Sequence, residues 1–274
     1  HLVEPGTKFD LHNFQTRQDG GLTKEEGLAE LQKLGVRLGE LQELMAVSRI
    51  HGLLVVVQGR DTAGKDGAID RLLQFVNVPS VRVTAFKVPT PEELSHDFLW
   101  RVHKPCPGKG DIAIFNRSHY EDVLVVRVHD LVPKSVWSKR YEQINVFEHL
   151  LAESNILIAK FCLAISKEEQ EERLLAREKD VEKAWKLAVA DWKEREYWDD
   201  YTKAYDEAIE RCSTKDAPWH VVPADRKWYR DLCIAETLVN LLEPHEQTWR
   251  NALAEVGEKA KKELAEYRAL HAGG

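Results

Sequence analysis

The sequence lacks a long apolar stretch. No run approaches the about 18–20 consecutive apolar residues that a membrane-spanning helix requires, and the first residues show no signal-peptide pattern. Cysteine is also scarce, and the four that occur form neither a CxxC pair nor a metal-ligand spacing: Cys106, Cys162, Cys212 and Cys233. We therefore expect reduced thiols in a cytoplasmic protein that has no membrane as a partner.

The sequence also lacks an excess of basic residues. Its 39 Lys and Arg stand against 46 Asp and Glu, for a formal net charge of −7 over 274 residues. This balance argues against a nucleic-acid partner bound by bulk electrostatics. It leaves room for an anionic substrate, since a local basic channel can exist on an acidic protein. A hydrophobic content of 43% is typical of a globular chain, and we expect residues 1–274 to form a single domain.

Short apolar runs alternate with helical patterns along the chain. The predicted strands are 53–57, 81–86, 111–115, 156–166 and 219–222. Their alternation with helices predicts an α/β fold, in which helices cover both faces of a parallel five-stranded sheet. Residues 1–50 are expected to form an N-terminal arm and a helix, which begins at the capping box of Thr23 and Glu26. Charged helices are predicted over 168–211 and a C-terminal helix over 244–274.

The stretch "GRDTAGKDG" (59–67) has the spacing of a phosphate-binding loop, Gly59-x4-Gly64-Lys65, and lies between a predicted strand and a predicted helix. In that geometry successive N–H groups and the helix N-terminus bind an anion, and Lys65 neutralises phosphate oxygens. A glycine-rich turn without a ligand is the alternative, which leaves the lysine unexplained. The predicted phosphate contacts in the loop are Gly59, Arg60, Thr62, Ala63, Gly64 and Gly67.

Two carboxylates interrupt this loop. Asp66 stands where a serine or threonine hydroxyl usually binds Mg²⁺, so it is either a metal ligand or an acidic residue of the first helical turn. Asp61 lies within the anion cradle, where negative charge is costly unless a cation lies nearby. We interpret Asp61 as a carboxylate that binds Mg²⁺ or handles a proton, and the alternative is an aspartate that orders the turn.

The third predicted strand ends in "NRSHYEDVL", where phosphate-loop kinases place a second metal-binding carboxylate. Asn116 occupies the expected position, and Arg117 follows it at the carboxyl end of the strand, where open α/β sheets bind ligands. Glu121 and Asp122 come next and could supply the missing carboxylate. The alternatives are acidic residues of a helix start and a surface ion pair of Arg117.

Basic residues recur in the loops expected at the same edge of the sheet. Lys87 follows the second strand, and Arg127 lies beyond the third. Arg173 and Arg177 are four residues apart on one face of a predicted helix, which suits a phosphate clamp. We expect Lys87, Arg127, Arg173 and Arg177 to contact nucleotide or phosphate groups, although most exposed charges on such helices are solvated. The stretch 168–211 lies where phosphate-loop kinases carry a mobile lid.

Several motifs together resemble polyphosphate kinase family 2. They are "GRDTAGKDG" (59–67), "KVPTPEEL" (87–94), "FNRSHYEDVL" (115–124), "RLLAREKD" in the predicted lid and "VVPADRKWYRDL" (221–232). The resemblance covers nearly the whole chain, from about "GGLTKEE" to Leu242. The form "NRSHYED" is similar to class III of that family, whose members phosphorylate both nucleoside mono- and diphosphates.

The resemblance implies a P-loop kinase-like three-layer fold and Mg²⁺-dependent phosphoryl transfer between inorganic polyphosphate and adenine or guanine nucleotides. By position in the motifs it implies that Asp61, Lys65, Arg117 and Asp122 are catalytic. It places the metal on Asp61 and Asp122, and Asn116 departs from the aspartate of other classes. Glu121 is expected near the acceptor nucleotide. The resemblance also implies a homodimer or homotetramer.

Two other functions remain open at this stage. An ATP-dependent kinase of a nucleoside, nucleotide or other small molecule would use the same loop, but it would carry a hydroxyl where Asp66 stands. The second alternative is a regulatory module that binds nucleotide but has lost catalytic activity. The presence of Asp61 and Lys65 argues against such a loss.

Overall fold

A computed structural model describes residues 1–179 and 189–271. Its strands are β1 (Leu2–Val3), β2 (Gly52–Gly59), β3 (Val81–Ala85), β4 (Ile112–Asn116), β5 (Ile156–Ala164) and β6 (Trp219–Pro223). Its first helices are α1 (Lys24–Ser48), α2 (Lys65–Leu73), α3 (Pro91–Leu94), α4 (Trp100–His103), α5 (Val125–Val128) and α6 (Lys134–Glu153). They are followed by α7 (Lys167–Lys179), α8 (Val189–Glu194), α9 (Trp198–Cys212), α10 (Lys227–Leu242) and α11 (Glu246–His271).

The strands form one sheet in the order β1-β6-β5-β2-β4-β3. The pairings β6–β5, β5–β2, β2–β4 and β4–β3 are all parallel, which confirms the five predicted strands and their direction. The added strand β1 pairs antiparallel with β6 at the edge. It was not predicted, because two residues within an aperiodic arm carry no strand signal. The arm also packs inward, since Val3 and Leu11 join the core.

Helices cover both faces of the sheet, as the α/β prediction required. Strand β2 is buried along its whole length, and its side chains alternate between two apolar layers. Leu53, Val55 and Val57 face α1, α2 and α10, whereas Leu54 and Val56 face α6 and α9. This three-layer packing fixes β2 at the centre of the sheet and so places the loop that follows it.

Helix boundaries follow local capping chemistry. Thr23 caps α1 with the predicted capping box, in which its hydroxyl accepts from the Glu26 N–H. Thr90 caps α3 in the same way, and the separate helix α4 follows a turn in which Asp97 accepts from the Leu99 N–H. The predicted lid consists of α7, α8 and α9 with a short connection, and its residues 180–188 lie outside the described residues. Within the described ranges, no helix has the length and apolar character needed to cross a membrane.

Candidate active site

The carboxyl ends of β2 and β4 bring the two sequence motifs together. These strands pair in parallel with Val57 opposite Asn116. The loop after β2 and the turn after β4 therefore emerge side by side at the same sheet edge. That edge opens into a cleft of about 800 Å³. The predicted residues that line it are Asp61, Thr62, Gly64, Lys65, Asp66, Gly67, Lys87, Asn116, Arg117, Arg173 and Arg177.

Gly64 ends the loop and caps α2. Its φ of 98° lies in the left-handed region, and a Cβ built on it would be 2.1 Å from the Arg230 Nη1. Only glycine fits this position. Because glycine offers no side-chain acceptor, the first N–H groups of α2, beginning at Lys65, stay available to an anion.

Side chains of helices α7 and α10 hold the loop carbonyls. Gln170 donates to the Asp61 carbonyl at 2.9 Å, and Arg173 donates to the Thr62 carbonyl at 2.9 Å. Arg230 donates to the Gly64 carbonyl at 3.0 Å. Arg173 and Arg230 also line the cleft, so the two guanidinium groups that hold the loop lie in its wall. Arg173, predicted as a phosphate contact, is thus mainly a support of the loop.

Lys65 lies under the loop rather than in solvent. Its Nζ donates to the carbonyls of Gly59 at 2.8 Å and Arg60 at 3.0 Å. Burial, followed by the positive charge of Arg117, lowers the pKa of Lys65 to about 8, against the opposing effect of Asp61. Because both of these acceptors are neutral backbone carbonyls, an anionic phosphate oxygen can compete with them for the Lys65 ammonium.

Arg117 links the two motifs. It has a φ of 61°, a backbone conformation that residues other than glycine rarely adopt. Its Nη2 lies 2.5 Å from the Asp61 Oδ1. Its Nη1 lies 3.4 Å from the Glu121 Oε2, and Glu121 also accepts from Gln58 at 3.2 Å. Burial favours the neutral guanidinium, but Glu121 and Asp61 outweigh it and raise the pKa of Arg117. A permanent cation thus stands beside the Asp61 carboxylate.

Asp66 and Asn116 contact each other across the cleft floor. The Asn116 Nδ2 donates to the Asp66 Oδ1 at 2.7 Å, which leaves the second oxygen of Asp66 for another partner. Asn116 thus lines the predicted site, as a partner of Asp66. Among the described residues, no group of three or more His, Cys, Asp or Glu side chains is arranged to enclose a metal ion.

Asp122 is not brought into the cleft. It follows Glu121 in a 3₁₀ turn, where successive side chains point about 120° apart. Its carboxylate faces α6 and accepts from the Arg140 Nη1 at 2.7 Å. Burial raises the pKa of Asp122 to about 6, although Arg140 and Arg101 oppose the shift. The prediction that Asp122 is a catalytic metal ligand does not fit this orientation.

Two other predicted contacts also point elsewhere. The Arg60 guanidinium stacks on Trp198, 3.7 Å from the ring centroid, and donates to the Trp198 carbonyl at 2.7 Å. Arg127 lies 2.7 Å from Glu207 and donates to the Tyr141 hydroxyl at 2.9 Å, outside the cleft lining. Ala63 is fully buried, and its N–H donates to the Arg60 carbonyl at 3.2 Å within the loop.

Sequence reasoning missed several residues of the site. Gln170 supports the loop, and Asp191 lines the cleft and pairs with Arg177 at 3.2 Å. Neither has a characteristic spacing, because both lie in charged helices of ordinary composition. Trp198 and Tyr201 line a small pocket beside Arg117. Their position beside Arg117 becomes visible only in the three-dimensional structure, through the placement of α9.

Comparison with known proteins agrees with this geometry. The sequence model of the Polyphosphate kinase 2 (PPK2) family matches residues 21–250. The AMP/ADP-polyphosphate phosphotransferase of Meiothermus ruber is 47% identical over 247 residues, 89% of this chain and 92% of that protein. The ADP-polyphosphate phosphotransferase of Rhodopseudomonas palustris is 39% identical over 279 aligned positions, 97% of this chain and 95% of that protein.

Comparison with solved structures points to the same family. The crystal structure of Polyphosphate Kinase 2 from Arthrobacter aurescens TC1 superimposes with a TM-score of 0.84 at 43% identity. The match covers 88% of this chain and 87% of that one. The chain therefore belongs to the polyphosphate kinase 2 family, the family that its motifs predicted.

Proposed function

We propose that the protein transfers phosphoryl groups between inorganic polyphosphate and adenine nucleotides, converting AMP to ADP and ADP to ATP. The observation that carries this proposal is the open phosphate loop, in which buried Lys65 lies close to the Asp61–Arg117 ion pair. The names of the relatives from Meiothermus ruber and Rhodopseudomonas palustris support the same substrates. Guanine nucleotides are predicted as further acceptors.

The chemistry needs positioning and charge more than it needs a base. An oxygen of the acceptor phosphate attacks the terminal phosphorus of polyphosphate, and the bond from that phosphorus to the shortened chain breaks. The attacking oxygen is already ionised near neutral pH, so no proton has to be removed from it. The loop N–H groups and Lys65 hold the donor phosphates, and Arg117 neutralises the transferring group.

Asp61 orients the Arg117 guanidinium through their 2.5 Å contact, and its carboxylate remains partly exposed to the cleft. The residues present fit Mg²⁺, which prefers oxygen ligands and commonly binds one or two carboxylates together with substrate phosphates. Asp61 would hold the ion, with the free oxygen of Asp66 as a second candidate. Mg²⁺ supplies positive charge that offsets the charge of the phosphate oxygens when it is bound.

The donor can be tested directly. We expect the protein to form ADP from AMP and ATP from ADP when it is given long-chain polyphosphate and Mg²⁺ without ATP, and to stop when a chelator is added. Chromatographic separation of the nucleotides measures both products. If no ADP or ATP forms, while ATP phosphorylates a nucleoside under the same conditions, the proposed donor is wrong and an ATP-dependent kinase is the better assignment.

The lowered pKa of Lys65 predicts a pH dependence. The free enzyme loses the Lys65 positive charge as pH rises through about 8, so kcat/KM for polyphosphate should fall about tenfold per pH unit above that value. Bound phosphate stabilises the ammonium, so kcat at saturation should fall only at higher pH. Initial rates between about pH 7.5 and 9.5 measure both profiles. A kcat/KM that stays level across this range would contradict the role of Lys65.

Two predictions from the sequence complete the proposal. Self-association into a homodimer or homotetramer follows from the family resemblance, and a cytoplasmic location follows from the unpaired cysteine pattern. Both stay predictions.

A further inference from the structure

A set of charged and polar side chains is fully buried behind the turn that carries Arg117 and Glu121. We call it the Lys160 network, and it consists of Lys160, Glu148, Tyr120 and His119. The side chains of Lys160 and His119 are 0% exposed and that of Glu148 is 1% exposed. None of these residues lines the cleft, so their role in the reaction has to be indirect.

Within the network the Lys160 ammonium is fully paired through short contacts, whereas the buried His119 Nδ1 has no hydrogen-bond partner. The Lys160 Nζ donates to the Glu148 Oε2 at 2.6 Å, the Tyr120 hydroxyl at 2.7 Å and the Cys212 carbonyl at 2.6 Å. The Tyr120 hydroxyl donates to the Glu148 Oε1 at 2.9 Å. The His119 Nε2 lies 3.1 Å from that same oxygen. All three ammonium protons therefore have acceptors.

Stability alone does not explain such a network. Removing two charges from water is costly, and replacing a buried ion pair by apolar residues of similar volume is often neutral or stabilising. Breaking one partner away, by contrast, is strongly unfavourable. A buried pair of this kind therefore holds its elements in one arrangement, here helix α6 through Glu148, strand β5 through Lys160 and the turn through His119 and Tyr120.

The turn needs such restraint. Arg117 has a φ of 61°, and strained backbone of this kind persists only where the surroundings fix it. Its N–H donates to the Val57 carbonyl at 3.0 Å, and the residues that follow are attached to α6. Glu148 contacts His119 and Tyr120, and Arg140 contacts Asp122. Arg117 and Glu121 thus lie on a short segment that is clamped at both ends.

We propose that the Lys160 network positions Arg117 for phosphoryl transfer, with Tyr120, Glu148 and Lys160 as positioning residues rather than catalytic ones. The proposal rests on the proposed function, because Arg117 is the group through which the network acts. Displacement of a catalytic group by about 1 Å can cost about 100-fold in rate. Loosening the turn should therefore lower kcat while leaving KM nearly unchanged.

The test is a double-mutant cycle between Tyr120→Phe and Arg117→Ala. Tyr120→Phe removes one hydroxyl and leaves Lys160 paired with Glu148, so the protein should fold. We expect kcat to fall about tenfold in the otherwise wild-type protein and not to fall further in the Arg117→Ala background. The loss of stability, measured by urea unfolding, should be the same in both backgrounds.

A matched control separates positioning from packing. Tyr141 is also fully buried, and its hydroxyl has a partner in Arg127, which lies outside the Lys160 network and the cleft lining. Tyr141→Phe should therefore lower stability to a similar extent and leave kcat unchanged. A second route, the paired variant Lys160→Met with Glu148→Gln, removes both charges together, leaves no unpaired buried charge and should reproduce the loss of kcat.

The outcomes are distinct. Equal losses of kcat with and without Arg117 would overturn the proposal, and so would wild-type kcat in both Tyr120→Phe and the paired variant. The cycle is measured with whichever donor, polyphosphate or ATP, the wild-type protein uses. A wild-type protein that is inactive with polyphosphate and active with ATP contradicts the proposed donor, and the cycle still decides the role of the Lys160 network.

Discussion

Asp61→Asn is expected to lower kcat by about 1000-fold or more, because it removes the carboxylate that pairs with Arg117 and lines the phosphate cleft. Asparagine has nearly the same volume and still offers an oxygen to the Arg117 guanidinium. The Asp61 carbonyl would also keep its contact with Gln170. The fold should therefore survive, and the unfolding midpoint should change little.

The measurement is kcat for ADP phosphorylation by polyphosphate, with unfolding followed in parallel. Asp216→Asn is the matched control, since Asp216 pairs with His149 on the surface and lies outside the cleft lining. A Mg²⁺ titration distinguishes the two roles proposed for Asp61, which are binding of Mg²⁺ and orientation of Arg117. An increase in the Mg²⁺ concentration needed for half-maximal rate indicates metal binding, whereas an unchanged value with low kcat indicates orientation of Arg117. Wild-type kcat in a folded Asp61→Asn protein would refute both.

Patterns that are local in the sequence predicted this molecule well. The buried strands appeared as apolar runs because a parallel strand covered on both faces has no polar side. The phosphate-loop motif was recognisable because Gly59, Gly64 and Lys65 lie within one seven-residue span between a strand and a helix. The meeting of this loop with Arg117 followed from strand pairing at one sheet edge.

What escaped prediction depends on side-chain direction or on contacts distant in sequence. Glu121 and Asp122 are adjacent and chemically similar, and only the geometry of the 3₁₀ turn sends one toward Arg117 and the other toward Arg140. Arg173 had the spacing of a phosphate clamp, but its guanidinium donates to the carbonyls of Thr62 in the loop and of Ala224 after β6. The Lys160 network joins residues up to 41 positions apart, between His119 and Lys160, and no local pattern reveals it.

Lys65→Met is expected to lower kcat/KM for polyphosphate by about 1000-fold, since it removes the cation proposed to contact the donor phosphates while it keeps a long apolar side chain. The loss should be largest below pH 8, where wild-type Lys65 is protonated. The residual activity should lack the decline that wild type shows above that pH. Lys33→Met, on the exposed face of α1, is the control for loss of one surface charge.

The same variant carries a second, independent signature in its stability. Lys65 has a pKa of about 8 when folded and 10.5 ordinarily, so between these values the unfolded chain binds more protons and wild-type stability should rise with pH. Lys65→Met removes this contribution, and its free energy of unfolding should rise less than that of wild type across the same range. Urea unfolding at pH 8 and pH 10 measures the difference. Identical pH dependence in the two proteins would mean that Lys65 is not desolvated under the loop. The assignment of Lys65 as the buried cation of the phosphate loop would then be wrong.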